Sequence, residues 1–259
     1  MNFPHIDPVI FSVGPLAVRW YGMMYLLGFL GGYFMMCHVV KLRNMPITKE
    51  NISDLLFYAV LGVVLGGRFG YTLFYNTQYY LSHPLKILYV WEGGMSFHGG
   101  LIGVLIVLLV FCRMRHLDLL LLADVVVSAV PIGLFFGRIG NFINSELWGR
   151  VTDFPLGIVF PGGGPLPRHP SQLYEASLEG LLLFVLIYLL HRRGAARGVP
   201  AFCFLFLYGV FRFVIEFVRQ PDEQLGFLWG GATMGQLLSA PMILFGLFGL
   251  IYLFRRNKT

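Results

Sequence analysis

The chain reads as an all-α integral membrane protein of about seven transmembrane helices with a small irregular periplasmic head. Three observations predict this. Apolar residues make up 57% of the 259 residues and charged residues only 12%, against about 25% charged in an ordinary soluble domain. The mean hydropathy is +0.72. Apolar stretches near the roughly 20 residues that cross about 30 Å of hydrocarbon recur along the whole chain.

Taken in order, the predicted spans lie at about 17-40, 52-75, 95-114, 118-138, 172-191, 199-219 and 233-254. The whole chain, 1-259, is expected to form a single polytopic membrane domain. Before the first span, Met1 to Pro15 carries Asp7 and the prolines Pro4, Pro8 and Pro15. It lacks a basic region leading into an apolar core, so it does not read as a cleavable signal peptide. Between the fourth and fifth spans, Pro155 to Pro170 holds five prolines and four glycines, which excludes a helix. Residues 143-171 are therefore expected to form an outward-facing loop or head.

The basic residues alternate along the chain. Lys41, Arg43 and Lys49, then Arg113 and Arg115, then Arg192, Arg193 and Arg197, and finally Arg255, Arg256 and Lys258 hold most of the 19 Lys and Arg. By the positive-inside rule these segments face the cytoplasm, so the N-terminus and the connections near 77-94, 139-171 and 220-232 face outward, which in a bacterium is the periplasm. An outward N-terminus and an inward C-terminus require an odd number of spans. The net charge of +6 is dispersed through short loops, which argues for topology and against nucleic acid. Cys37, Cys112 and Cys203 are isolated, with no CxxC and no ligand spacing. No disulfide, metal or cofactor is expected.

The remaining basic residues, Arg19, Arg68, Lys86, Arg138, Arg150, Arg168, Arg212 and Arg219, fall within spans or on the outward side. Each alone reads equally as a snorkelling side chain or a partner of Glu146, Glu175, Glu179 or Glu216. Together they point to a site for an anion.

Four segments concentrate the chemistry. Gly137-Arg138-Ile139-Gly140-Asn141-Phe142-Ile143-Asn144-Ser145-Glu146-Leu147-Trp148-Gly149-Arg150 follows an apolar run. If the fourth helix continues through it, Arg138 and Asn141 share a face and address one oxyanion together. A guanidinium presents a planar fork suited to phosphate. Glu146 is read as holding Arg150 or tuning the site, and Trp148 as an interface anchor.

In Phe97-His98-Gly99-Gly100 a histidine stands among glycines where a helix begins. His98 is read either as a base, given a pKa near 6.5, or as a packing histidine beside a glycine pair. Ser96 and His98 are two apart and do not face each other on a helix, and no GxSxG elbow occurs, so a serine-protease pairing is discounted. In Arg168-His169-Pro170-Ser171-Gln172-Leu173-Tyr174-Glu175, Ser171 is the expected N-cap of the fifth span. In the sixth, Tyr208, Arg212, Glu216 and Arg219 recur at four, four and three and form one polar stripe. Arg19 and Tyr21 open the first span, where an aromatic-belt reading of Tyr21 also holds.

These segments, in this order, resemble the bacterial prolipoprotein diacylglyceryl transferases over essentially the whole chain. Gly137 to Arg150 is similar to that family's signature, with Ser145 at a position more usually Gly. The resemblance implies transfer of the sn-1,2-diacylglyceryl group from phosphatidylglycerol to the lipobox cysteine of a prolipoprotein, with glycerol 1-phosphate released, at the bacterial inner membrane. It also implies seven spans and importance for Tyr21, His98, Arg138, Asn141, Glu146, Gly149 and Arg212.

Such a reaction needs a thiolate from a thiol of pKa about 8.5 and donors for the leaving phosphate. Arg138 and Arg212 are assigned to the phosphate, with Asn141 and Tyr208 as further donors and His98 as the candidate base. A thiolate formed in the arginine field remains the other reading of the base. The competing functional class is a transporter or channel for an anionic solute, and a third is a lipid-binding scaffold without turnover.

Overall fold

The computed structural model describes residues 1–14, 16–221 and 226–256. Pro15 and Lys258, used in the sequence reading, lie outside the described residues. Two compact units form, residues 1–43 with 123–259, and residues 44–122.

The larger unit opens with a hairpin of β1 (Val9–Val13) and β2 (Leu16–Arg19), paired antiparallel. Helix α1 (Trp20–Leu42) follows at once, so the first three residues of the predicted span are strand. β-branched and aromatic residues in Val9–Val13 favour extended chain there.

In the smaller unit α2 (Lys49–Phe74) begins with a capping box: the Thr48 hydroxyl accepts from Asn51 N, and the Asn51 side chain accepts from Thr48 N. This satisfies two of the orphan donors of the first turn. A short helix, α3 (Thr77–Ser82), and two 3-10 turns lead to α4 (Phe97–Met114). Ser96 caps α4 by accepting from Gly99 N. Helices α2 and α4 pack through glycines: a Cβ on Gly70 would stand 2.8 Å from Gly99 Cα, and one on Gly62 3.0 Å from Gly103 O. Small residues let helices approach closely where lipid supplies no hydrophobic drive for association.

Most of α5 (Leu119–Ile143) belongs to the larger unit, with α6 (Ser171–Arg192), α7 (Val199–Ile215) and α8 (Met234–Arg256). Among the described residues, six helices are long and apolar enough to cross a membrane, and α7 is a shorter apolar helix of 17 residues, at the lower limit for a span. The chain is a multi-pass membrane protein. Its apolar helix surfaces are largely exposed, as at Phe34, Phe57, Phe245 and Phe248, where hydrocarbon takes the place of water.

Two features set where α6 and α7 carry their polar groups. Residues Ala176–Leu182 of α6 form a π-helical stretch, an irregularity common at functional sites. The buried Asp124 carboxylate on α5 accepts from Gly198 N at 2.7 Å and Ala201 N at 2.9 Å, pinning the start of α7. Leu183, Ile187 and Phe204 then form a buried core flanked by Val127, Val130 and Tyr208, which fixes the three helices side by side.

Candidate active site

Helix α5 does continue through Arg138 and Asn141, and its end builds the first half of the site. Glu146 N donates to Asn141 O and Ser145 N to Phe142 O, the paired bonds of a Schellman C-cap with Ser145 as the left-handed residue. Ser145 has φ +54°, the conformation in which glycine is ordinarily found. The turn folds Glu146 back over the helix end, where its Oε1 accepts from Asn141 Nδ2 at 2.9 Å and Asn144 Nδ2 at 3.4 Å. Arg138 Nη1 donates to Asn141 Oδ1 at 3.3 Å. A chain of Arg138, Asn141 and Glu146 results. Tyr21 packs on its flank: a Cβ on Gly140 would lie 3.0 Å from the Tyr21 ring.

The second half comes from α6 and α7. Glu175 is fully buried, and its Oε2 lies 2.8 Å from Arg138 Nε and 2.9 Å from Arg212 Nη1. Arg212 Nη2 meets Glu216 Oε1 at 2.5 Å, and Arg219 Nη1 lies 3.6 Å from the same oxygen. The Thr233 hydroxyl donates to Glu216 Oε2 at 2.6 Å. Arg212 Nη1 is also 3.8 Å from Glu179 Oε1. Tyr208, stacked on Phe204, belongs to the same electrostatic cluster. Arg138, Arg212 and Arg219 therefore converge on Glu175, Glu179 and Glu216, while 20% of the Arg138 side chain and 14% of that of Arg212 stay accessible.

Several expectations change against this geometry. The stripe of α7 is helical only to Ile215, with Glu216 as its cap, yet the following turn still presents Arg219. Glu146 does not hold Arg150. Instead Arg150 donates to Arg219 O and Glu216 O at 3.0 Å each and lies over the Phe227 ring, because Glu146 is already taken by two asparagine amides. Ser171 is not an N-cap; it is the first helical residue, and its hydroxyl donates to Leu147 O. Pro170 takes the cap position without a side-chain bond. Trp148 stacks on Phe160 inside the loop between α5 and α6.

That loop is held together by isolated bridges joining Val151 and Ile158 to Arg168 and Gly149 to Arg219. Gly149 N donates to His169 O, and a Cβ there would meet Val218 O at 2.6 Å and His169 Cβ at 2.7 Å. Only glycine fits this crossing. Desolvation by the surrounding loop lowers the His169 pKa below the ordinary histidine value.

The scattered arginines divide into two groups. Arg68 is buried in the smaller unit and donates to the carbonyls of Ile87, Lys86, Gly93 and Gly94, and Arg168 donates to Gly163 O and Gly149 O. Both hold loops. His98 sits in the smaller unit, exposed on the first turn of α4 and edge-on to Phe97. Glu175 and Glu179 carry more of the site than sequence reasoning assigned to them. The signal available was a pair of glutamates four apart in an otherwise apolar span, since burial of a carboxylate requires a cation.

A family model described as prolipoprotein diacylglyceryl transferase matches residues 8–252. The phosphatidylglycerol–prolipoprotein diacylglyceryl transferase of Geobacter sulfurreducens is 54% identical over 257 residues, covering 99% of each chain. Proteins of the same name from Aliivibrio salmonicida and Pseudomonas aeruginosa are 51% and 50% identical, over 99% and 100% of this chain and 91% and 98% of their own.

Proposed function

The chain belongs to the prolipoprotein diacylglyceryl transferase family, and on that premise we propose that it transfers the sn-1,2-diacylglyceryl group of phosphatidylglycerol to the lipobox cysteine of a prolipoprotein. In this reaction the cysteine sulfur attacks the lipid glycerol carbon as its bond to the phosphate oxygen breaks. The electron pair leaves on that oxygen, and glycerol 1-phosphate departs. The thiol proton passes to a base, for which His98 is our candidate.

The observation that carries this reading is the convergence of Arg138 and Arg212 on one buried carboxylate oxygen. Two guanidinium forks held side by side in a poorly solvated place are preorganised for a phosphodiester and for the charge that grows on it in the transition state. Asn141 and Tyr208 supply further donors, and Glu146 orients Asn141. Tyr21 and Gly149 complete the substrate-binding set, the first beside the Asn141 helix turn and the second at the crossing of the loop over Val218. An apolar groove lined by Pro131, Ile132, Phe135, Gly180, Leu181 and Phe184 comes within a turn of Arg138 along α5, and suits an acyl chain.

We place the whole chain, 1–259, as a single polytopic domain in the bacterial inner membrane, with the N-terminus periplasmic, the C-terminus cytoplasmic and residues 143–171 as a periplasmic head. The alternation of basic loops supports this orientation. Purified protein given phosphatidylglycerol and a lipobox peptide should yield a thioether-linked diacylglyceryl peptide and stoichiometric glycerol 1-phosphate, both read by mass spectrometry. Lipid binding without thioether overturns the reading in favour of a scaffold, and uptake of an anionic solute into proteoliposomes without thioether in favour of a transporter.

A further inference from the structure

Among the described residues, Glu179 is the one carboxylate of the arginine cluster that makes no hydrogen bond. It lies on the π-helical stretch of α6, fully buried, and neither of its oxygens has a hydrogen-bond partner. Arg212 Nη1 approaches it only to 3.8 Å, whereas Glu175 and Glu216 are met at 2.9 Å and 2.5 Å. The charged and titratable groups facing it are Arg138 from α5, Glu175 from its own helix, Tyr208 and Arg212 from α7, and Arg219 beyond it. Glu216 joins them through Arg212.

With every group ionised, Arg138, Arg212 and Arg219 balance Glu175, Glu179 and Glu216. A phosphodiester brought to the arginines adds one negative charge beside three buried carboxylates. An uncompensated charge in such surroundings is strongly unfavourable, and the carboxylate with the fewest hydrogen bonds loses least by being neutralised.

We propose that Glu179 takes up one proton from solvent when the anionic lipid headgroup binds, so that Arg212 turns its charge from Glu179 to the phosphate. This rests on the phosphatidylglycerol reading above. The proton adds to a carboxylate oxygen of Glu179, and no bond between heavy atoms changes. Glu179 acts through Arg212 and is a positioning residue. The linkage has a definite sign. Above the pH at which the lipid-free protein ionises Glu179, each pH unit weakens lipid binding about tenfold, because the bound state holds one more proton.

Two measurements on the full-length protein in detergent test this, with dioctanoyl phosphatidylglycerol as the probe. The first is the lipid KM from pH 6 to 9 for the wild type and for Glu179→Gln, which mimics the protonated form. The wild-type KM should climb by about tenfold per pH unit over the alkaline part of the range, while the variant should stay flat and low. The second is proton uptake by the wild type in weak buffer with an indicator dye, expected at one proton per lipid bound. An equal pH slope in the variant, or no uptake by the wild type, overturns the proposal. If the variant does not fold, the uptake measurement decides alone. Absence of thioether product at every pH counts against the transferase reading instead, and lipid-linked proton uptake is still measurable in that case.

Discussion

Arg138 Nε and Arg212 Nη1 share a single oxygen of Glu175, at 2.8 Å and 2.9 Å. One guanidinium comes from α5 and the other from α7, and the carboxylate between them from α6. Without it, two like charges would face each other in a buried place. Glu175 is thus what allows a pair of arginines to stand side by side.

Replacing that carboxylate should be costly. Breaking a buried ion pair from one side destabilises by about 3–5 kcal/mol, so Glu175→Gln should lower the melting temperature in detergent and reduce kcat/KM by at least about tenfold as the arginines separate. Thermal denaturation and single-substrate kinetics on the purified variant check both. Wild-type values for each would mean that the arginines are held apart by other contacts.

Gly149→Ala should fail for steric reasons alone. Its Cβ would lie 2.6 Å from Val218 O, a backbone atom that cannot swing aside. The crossing that carries Arg150 to the carbonyls of Glu216 and Arg219 would open, and overpacking of this kind costs about 1–3 kcal/mol. Limited proteolysis of the loop at 144–170 should detect faster cleavage than in the wild type. Unchanged cleavage and activity would show that the loop absorbs the methyl group.

Ser145 gives a prediction of opposite character. A left-handed conformation costs a non-glycine residue about 1–2 kcal/mol, while glycine loses roughly 0.5–1 kcal/mol more chain entropy. Ser145→Gly should therefore change stability by no more than about 1 kcal/mol and leave turnover near wild type. Ser145→Val, β-branched at φ +54°, should be clearly destabilised and should release Glu146 from Asn141. Melting curves of the two variants in parallel make the comparison, and equal stability of the two would remove the Schellman cap from the account.

His98 carries the proposed proton transfer. General-base catalysis contributes about 10²–10⁴-fold, so His98→Gln should reduce kcat by a factor in that range. Near-normal turnover from pH 6 to 8 would reject His98 as the base and favour a thiolate formed in the arginine field.

Much of this arrangement was legible in the sequence, for reasons that differ from residue to residue. The spans were, because hydrocarbon demands long apolar runs and every backbone group in them must bond internally. The pairing of Arg138 with Asn141 followed from a spacing of three on a helix that had only to continue. The reach of Arg212 to Glu216 followed from a spacing of four. The π-helical stretch at Ala176–Leu182 was not legible, since nothing in its residue pattern distinguishes i→i+5 from i→i+4 bonding. The meeting of Glu175 with two arginines distant in sequence was equally hidden. Arg68 and Arg150, counted in a set that together pointed to an anion site, hold backbone carbonyls instead, because a guanidinium serves a carbonyl as readily as a phosphate and the sequence does not say which is near.

The most direct test of the arginine pair is Arg138→Lys. Lysine keeps the positive charge and replaces the fork with a single ammonium, which cannot bridge Glu175, Asn141 and a phosphate together. With phosphatidylglycerol and a lipobox peptide, kcat of a folded Arg138→Lys protein should fall by about 10²-fold or more, the scale of losing a preorganised donor. A folded variant with wild-type kcat and KM would contradict the assignment of Arg138 to the lipid phosphate.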